Sequence, residues 1–232
     1  MASILTDITT LFFPRYCKVC GTKLSTSEEF ICTPCLMRLP VTHFDSLSFN
    51  PVMQRFVGCP AVQHATAHFF YMPGNAYSQL ITKAKYHNQP EIGRYLGRMV
   101  ASSLIGTGFF DGISLVLPVP LSRFRKWTRG YNQSDWIARG VADITRLAVR
   151  TDAIVRQRHN ETQTHMSHEA RWQNVQNIFV VRRPERLESQ HVLLVDDVIT
   201  TGATLFSCAD TLARAVPGIR ITILALSCAR GD

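Results

Sequence analysis

The chain has 232 residues, 46% of them hydrophobic, with seven cysteines and a formal charge of +8. That length supports one substantial core plus a small appendage, and the basic balance, with a pI near 9.4, favours an anionic partner: nucleotide, nucleic acid or acidic protein. No apolar run reaches the roughly 18 residues a transmembrane helix needs, since the longest candidate, 113–121, is broken by Pro118 and Pro120.

Residues 1–13 lack a basic leading region and a small-residue cleavage pattern, and they carry Asp7, so they do not read as a signal peptide. Ile4, Leu5, Ile8, Leu11 and Phe12 share one helical face, which predicts an amphipathic segment. Next comes Cys17-x2-Cys20, eleven residues, then Cys32-x2-Cys35. Two such knuckles can direct four sulfurs to one tetrahedral Zn2+ and leave no open position, which predicts a structural metal site. The competing readings are two disulfides or redox cysteines. With no visible export signal, and with Cys59, Cys208 and Cys228 lacking obvious partners, a reducing cytoplasm fits the composition better. Phe30, Leu36 and Leu39 are candidates for the small core such a module needs.

Residues 45–59 show no sustained period and contain Pro51 and Gly58. The expected division is a module over 1–45, a linker over 46–60 and an α/β domain over 61–232. Within that domain, 65–71 has strand character. Tyr77, Leu80, Ile81 and Ala84 mark one helix, and Ile92, Leu96, Met99, Val100 and Leu104 mark another that ends at Gly106 and Gly108. A buried-type strand over 113–117 runs into Pro118-Val119-Pro120. A basic loop follows, with Arg123, Arg125, Lys126 and Arg129, and then a helix over 136–148. Four cations at the carboxyl end of a strand suit a diphosphate, although a solvated basic loop has the same composition. The polar stretch 156–179 reads as a flap or connecting arm. Its His165, His168 and Glu169 have metal-like spacing but no further ligands to complete a site.

The densest chemistry lies at 192–204. Val192, Leu193, Leu194 and Val195 form a continuous apolar run, the mark of a parallel strand covered on both faces, and Asp196 and Asp197 follow it. Behind the acids come Thr200, Thr201, Gly202, Ala203 and Thr204, leading into a helical pattern at Leu205, Cys208, Leu212 and Ala215. A helix N-terminus presents free N–H groups and partial positive charge, glycine allows close backbone approach, and threonines add donors. The acids would avoid a phosphate and partner sugar hydroxyls or hydrated Mg2+ instead, so the expected ligand is a phosphorylated sugar. A terminal strand runs from Arg220 to Ser227.

Residues 193–204 resemble the binding motif for phosphoribosyl pyrophosphate (PRPP) in type I phosphoribosyltransferases. The resemblance implies a mostly parallel sheet flanked by helices. It also implies 5′-phosphate binding by 200–204 and ribose contacts by Asp196 and Asp197, the candidate catalytic pair. More widely, the chain is similar to the ComF/GntX-type family, in which a four-cysteine module precedes such a domain. The residues that carry this likeness are the four cysteines, Lys83-Ala84-Lys85-Tyr86, Pro118-Val119-Pro120 leading to Arg129-Gly130-Tyr131-Asn132-Gln133, the 196–204 motif, and Thr162-Gln163 to Arg171 and Asn174. Tyr131, where phenylalanine is expected, and His165, where an apolar residue is usual, depart from the pattern. The family likeness implies PRPP and Mg2+ as ligands and places Pro120, Arg123 and Arg129 toward the pyrophosphate. It points to a cytoplasmic role in DNA uptake during natural transformation, with single-stranded DNA or competence proteins as partners. Lys83, Lys85, Arg123, Arg125 and Lys126, interleaved with Tyr86, Trp127 and Tyr131, are the candidate strand-binding residues. The alternative is an active Mg2+-dependent transferase whose acceptor no residue declares.

Overall fold

The computed structural model describes residues 14–46, 49–86, 89–157 and 178–229. The expected N-terminal amphipathic segment, the His165/His168/Glu169 group and the 162–174 stretch lie outside the described residues, as do the side chains of Lys85 and Tyr86. Among the described residues no helix is long and apolar enough to cross a membrane.

In chain order the elements are α1 (Thr33–Leu36), β1 (Val62–Tyr71), α2 (Ala76–Tyr86), α3 (Pro90–Leu104), β2 (Leu115–Pro118), α4 (Arg123–Arg129) and α5 (Gln133–Thr145). They continue with β3 (Ala148–Val149), β4 (Ile154–Arg156), β5 (Phe179–Val181), β6 (His191–Ile199), α6 (Ala203–Ala215) and β7 (Arg220–Ala229). Five strands form one sheet in the order β1-β7-β6-β2-β3, every pairing parallel, while β4 and β5 form a separate antiparallel pair. This is the mostly parallel sheet flanked by helices that the motif's resemblance implied.

The apolar runs have their expected cause. Successive residues of β6 face opposite cores: Val192 and Leu194 join one cluster with Phe56, Leu205, Cys208 and Leu212, and Leu193 and Val195 join another with Leu80, Ile81, Leu96 and Ile137. Both faces of the sheet are covered, so no position in the run can be polar. Residues 40–42 lie antiparallel along the outer edge of β1, through Thr42 N–H to His68 O at 2.9 Å and Phe70 N–H to Pro40 O at 2.8 Å. They protect an edge that would otherwise template pairing with another chain. Residues 50–59, within the expected linker, contribute Val52 and Phe56 to the main core at full burial.

Several boundaries differ from expectation: the helix expected over 136–148 spans Gln133–Thr145, with Ala148 in β3, and the strands expected over 113–117 and 65–71 span Leu115–Pro118 and Val62–Tyr71. β6 does not stop before the acids but runs to Ile199, because the ten-residue β7 keeps offering backbone partners as far as Cys228. The basic loop after β2 contains a seven-residue helix, α4, capped by Ser122 Oγ accepting from Arg125 N–H and ended by left-handed Gly130. Its large side chains face solvent, so it shows no core-facing period.

α3 and α5 cross in direct backbone contact. A Cβ on Gly97 would land on the Ile137 carbonyl and lie 3.2 Å from Gly140 Cα, and one on Gly140 would land on the Arg94 carbonyl. Gly97→Ala and Gly140→Ala should each destabilise the protein by about 3 kcal/mol, because backbone must move to admit the methyl. Gly58→Ala, whose methyl would meet the Phe206 ring at 3.4 Å, should cost less than about 1 kcal/mol. Urea unfolding of the three variants measures the difference.

Candidate functional site

At the carboxyl end of β6 the chain turns into α6 through Gly202, which adopts φ 84° as the helix N-cap. A β-carbon there would be strained, and it would also press on Arg55 Cβ and Cδ at 3.3 Å. Ile199, Gly202 and Leu205 are buried, whereas Thr200, Thr201, Ala203 and Thr204 are exposed. The turn is therefore anchored from below with its donors open above. These residues and Asp196 line a notch of about 50 Å3. The Arg55 guanidinium donates to the Thr200 carbonyl from beneath, which braces the turn.

Pro118 pairs with Val195 as the last rung between β2 and β6, and the two chains then diverge. The crevice between them is a cavity of about 310 Å3 that gathers Asp196, Asp197, Thr200 and Thr204 with Pro120, Arg125, Arg129 and Arg156. Parallel sheets bind ligands at this kind of position. One oxygen of Asp196, Oδ1, accepts from Ser134 Oγ at 2.9 Å and from the Asp197 N–H at 2.9 Å. The carboxylate is therefore oriented by the N-terminal turn of α5. Arg156 is half-buried; burial chiefly lowers its pKa, the nearby Arg125 adds to this, and Asp196 opposes it.

α4 sorts the basic residues by helical phase. Arg125 and Arg129, four apart, line the cavity with the acids, while Arg123 and Lys126 line an adjoining cavity of about 550 Å3. Of the three residues expected near a pyrophosphate, Pro120 borders both cavities, Arg129 the smaller and Arg123 the larger. Phe124 and Trp127 form the third face, 72% and 82% exposed. Two members of the expected strand-binding set are occupied elsewhere: Lys83 Nζ donates to Lys18 O at 2.8 Å, and the Tyr131 hydroxyl donates to the Ala84 carbonyl. Sequence reading did not single out Arg55, Ser134 or Arg156 for this site. The first two reach it from 145 and 62 residues away, and no local pattern marks them.

The ligand atoms of Cys17, Cys20, Cys32 and Cys35 all lie within 4.8 Å of one another, with Cys20 Sγ and Cys32 Sγ 3.6 Å apart. Four thiolates about 2.3 Å from one zinc would sit roughly 3.8 Å from each other, so the cluster fits that ion. Cys20 Sγ is hydrogen-bonded to Thr22 Oγ1 at 3.3 Å, chief among the hydrogen bonds that lower the Cys20 pKa to about 6, and the Cys32 N–H donates to Cys17 Sγ at 3.3 Å. Glu28, unnoticed in the sequence, ties the knuckles together. Its carboxylate accepts from the Ser25 N–H, the Thr33 N–H and the Thr33 hydroxyl, which hold its pKa down at about 2.

The phosphoribosyl transferase domain family matches residues 106–231, which include every lining residue of the larger cavity and all but Tyr71 of the smaller, but not the cysteine cluster. DNA utilization protein YhgH of Salmonella typhimurium (strain LT2) is 30% identical over 219 residues, covering 88% of this chain and 93% of the relative. YhgH of Escherichia coli (strain K12) is 29% identical over 201 residues, 85% of this chain and 84% of the relative. Competence protein F of Haemophilus influenzae is 35% identical over 141 residues, covering 59% and 62% of the two chains.

The brace under the turn has a measurable consequence. Arg55→Leu should remove about 1 kcal/mol of stability, the usual net worth of such a hydrogen bond at a partly exposed site. Hydrogen exchange should speed up at the amides of 200–204 while the central strands keep their protection.

Proposed function

Because this chain belongs to the phosphoribosyltransferase family, in the ComF group with competence protein F and DNA utilization protein YhgH, we propose that it binds PRPP and acts in DNA uptake in the cytoplasm. The observation that carries this reading is the convergence of Asp196, Asp197, Thr200 and Thr204 with Arg125 and Arg129 around one cavity. The N–H groups and hydroxyls of residues 200–204 would hold the 5′-phosphate, which would replace the long bond from the Ala203 N–H to Thr201 Oγ1. Asp196 and Asp197 would accept hydrogen bonds from the ribose 2′- and 3′-hydroxyls. Arg129, with Arg125 and the backbone near Pro120, would face the pyrophosphate, and Arg123 would stand at its far side.

The paired carboxylates have the oxygen chemistry Mg2+ prefers. Among the described residues, however, they are not part of a group of three or more metal-binding side chains, so the ion would rely on ligand oxygens as well. When bound, Mg2+ would neutralise charge on the diphosphate. Ser134, by donating to Oδ1 of Asp196, would orient that carboxylate for the sugar or the ion.

Phe124 and Trp127 stand side by side on an exposed face of α4, flanked by cations, an arrangement that suits stacking of bases beside a phosphate backbone. Single-stranded DNA is therefore the macromolecular partner this reading favours, through fewer residues than composition suggested. The second reading, active transfer to a small acceptor, is favoured by the larger cavity adjoining the first, which offers room beside the sugar site.

A purified-protein experiment separates the two. Asp196→Asn/Asp197→Asn should weaken PRPP binding at least about tenfold by calorimetry, and unchanged affinity would refute the site. PRPP binding without pyrophosphate release across a panel of bases and amines, together with salt-sensitive oligothymidylate binding weakened by Trp127→Ala, supports the DNA reading. Pyrophosphate release that the double variant abolishes supports the transferase.

The four cysteines would hold zinc as a closed structural site, since no coordination position remains for water. Metal analysis of protein purified under reducing conditions should give about one zinc per chain, and Cys32→Ser should lose it and lower the melting temperature. Much less than one metal in the parent protein would reject the assignment.

A further inference from the structure

We propose that the larger cavity is a second ligand site, separate from the sugar-phosphate cavity, that takes the phosphate and base of a nucleotide. Its volume of about 550 Å3 falls within the usual range for small-molecule sites. Four cations from three segments line it: Arg123 and Lys126 from α4, Arg156 from β4, and Arg182 just after β5. Among the described residues none of the four makes an ion pair. Exposed lysines and arginines need no partner, but Arg156 is half withdrawn from water, with its guanidinium 5.6 Å from the centre of the Phe179 ring. A cation held this way lacks full hydration and gains from an incoming anion.

The facing acid does not cancel this charge. Asp135 lines the same cavity, accepts from Asn132 Nδ2 at 2.7 Å, and has its pKa raised chiefly by burial. One carboxyl stands against four cations. The rest of the wall is uncharged: Leu121, Ile154 and Val180 give it apolar surface for a flat ring, and Thr151 and Gln157 give it polar groups that a base can hydrogen-bond. An anion on one side and an apolar body on the other describe a nucleoside phosphate. Its source is either a free mononucleotide or the phosphorylated end of a single strand.

The two cavities share Pro120, Leu121, Asn132 and Arg156 as a common wall. A nucleotide in the larger cavity would thus lie next to a phosphoribosyl group in the smaller, with Arg156 between them. This goes beyond the PRPP reading and is tested apart from it.

The test uses the full chain and four probes: thymidine 5′-monophosphate, thymidine, and oligothymidylate with and without a 5′-phosphate. The monophosphate should bind at least about tenfold more tightly than thymidine, and Arg182→Gln should remove most of that preference while Arg182→Lys keeps it. Binding should persist with saturating PRPP and Mg2+. If the phosphorylated oligonucleotide binds more tightly than its unphosphorylated counterpart, by a margin that Arg182→Gln removes, the source is a strand end; if the end phosphate adds nothing, the source is a free nucleotide. Equal binding of thymidine and its phosphate, an Arg182→Gln protein indistinguishable from the parent, or competitive displacement by PRPP would each overturn the second site. Failure of PRPP to bind while the monophosphate binds normally would instead count against the sugar-phosphate reading alone.

Discussion

The left-handed turn at Gly202 is the constraint on which the candidate site depends. It converts a strand buried on both faces into a helix whose first N–H groups point over the sheet end, and only glycine enters that conformation without strain while Arg55 packs beneath it. The turn alone would leave a shallow notch. Depth comes from the neighbouring strand, because β2 stops at Pro118 whereas β6 continues to Ile199 alongside β7. Asp196 and Asp197 are therefore still held in extended backbone at a point where one flank of their strand has opened. Two carboxylates are held at the crevice without being buried, the arrangement that the proposed contacts to hydroxyls or a hydrated cation require.

Much of this was legible where chemistry is encoded locally. The apolar run of β6, the acids after it and the Thr-Thr-Gly-Ala-Thr turn lie within thirteen residues, so the sequence alone brings them together, and the two Cys-x-x-Cys turns are legible for the same reason. The end of β6 was misjudged because charge was taken as the end of a strand, when the partner strand's length decides it. The basic segment after β2 was legible in composition but not in geometry. As a loop, its four cations form a single group; as a helix they divide, Arg125 and Arg129 to one cavity, Arg123 and Lys126 to the other. A seven-residue helix with no buried side chain leaves no apolar period to reveal that phase. Ser134, Arg55 and Arg156 were not legible because tertiary folding alone brings them to the motif.

The division imposed by α4 gives three chemically distinct faces within two turns: a pair of cations beside the acids, a pair beside the larger cavity, and two aromatic rings in solvent. No pair could be exchanged for another without a change in helical register. Ser122 at the start and Gly130 at the end set that register, and Gly130 is among the residues the family likeness picked out.

The cysteine module adds a mechanical consequence. Cys17, Leu24, Ile31 and Cys32 belong to the same buried cluster as α2 and α3, and Phe30 meets Tyr95 of α3 edge to face at 5.4 Å. Glu29 pairs with Arg98, while Arg94 grips Asp143 of α5 through two bonds of 2.7 Å. Exposed ion pairs of this kind contribute little energy singly. The backbone contact at Gly97 and Gly140 is a harder restraint, because packed carbonyls cannot slide as side chains do. α3 is thus held on one side by the module and on the other sets the position of α5, whose first turn carries the hydroxyl that orients Asp196. The module needs no contact with ligand to matter at the site. By fixing α3 it limits how far Ser134 can drift from the carboxylate, so the four cysteines and the acidic pair, far apart in sequence, bear on the same few ångströms of structure.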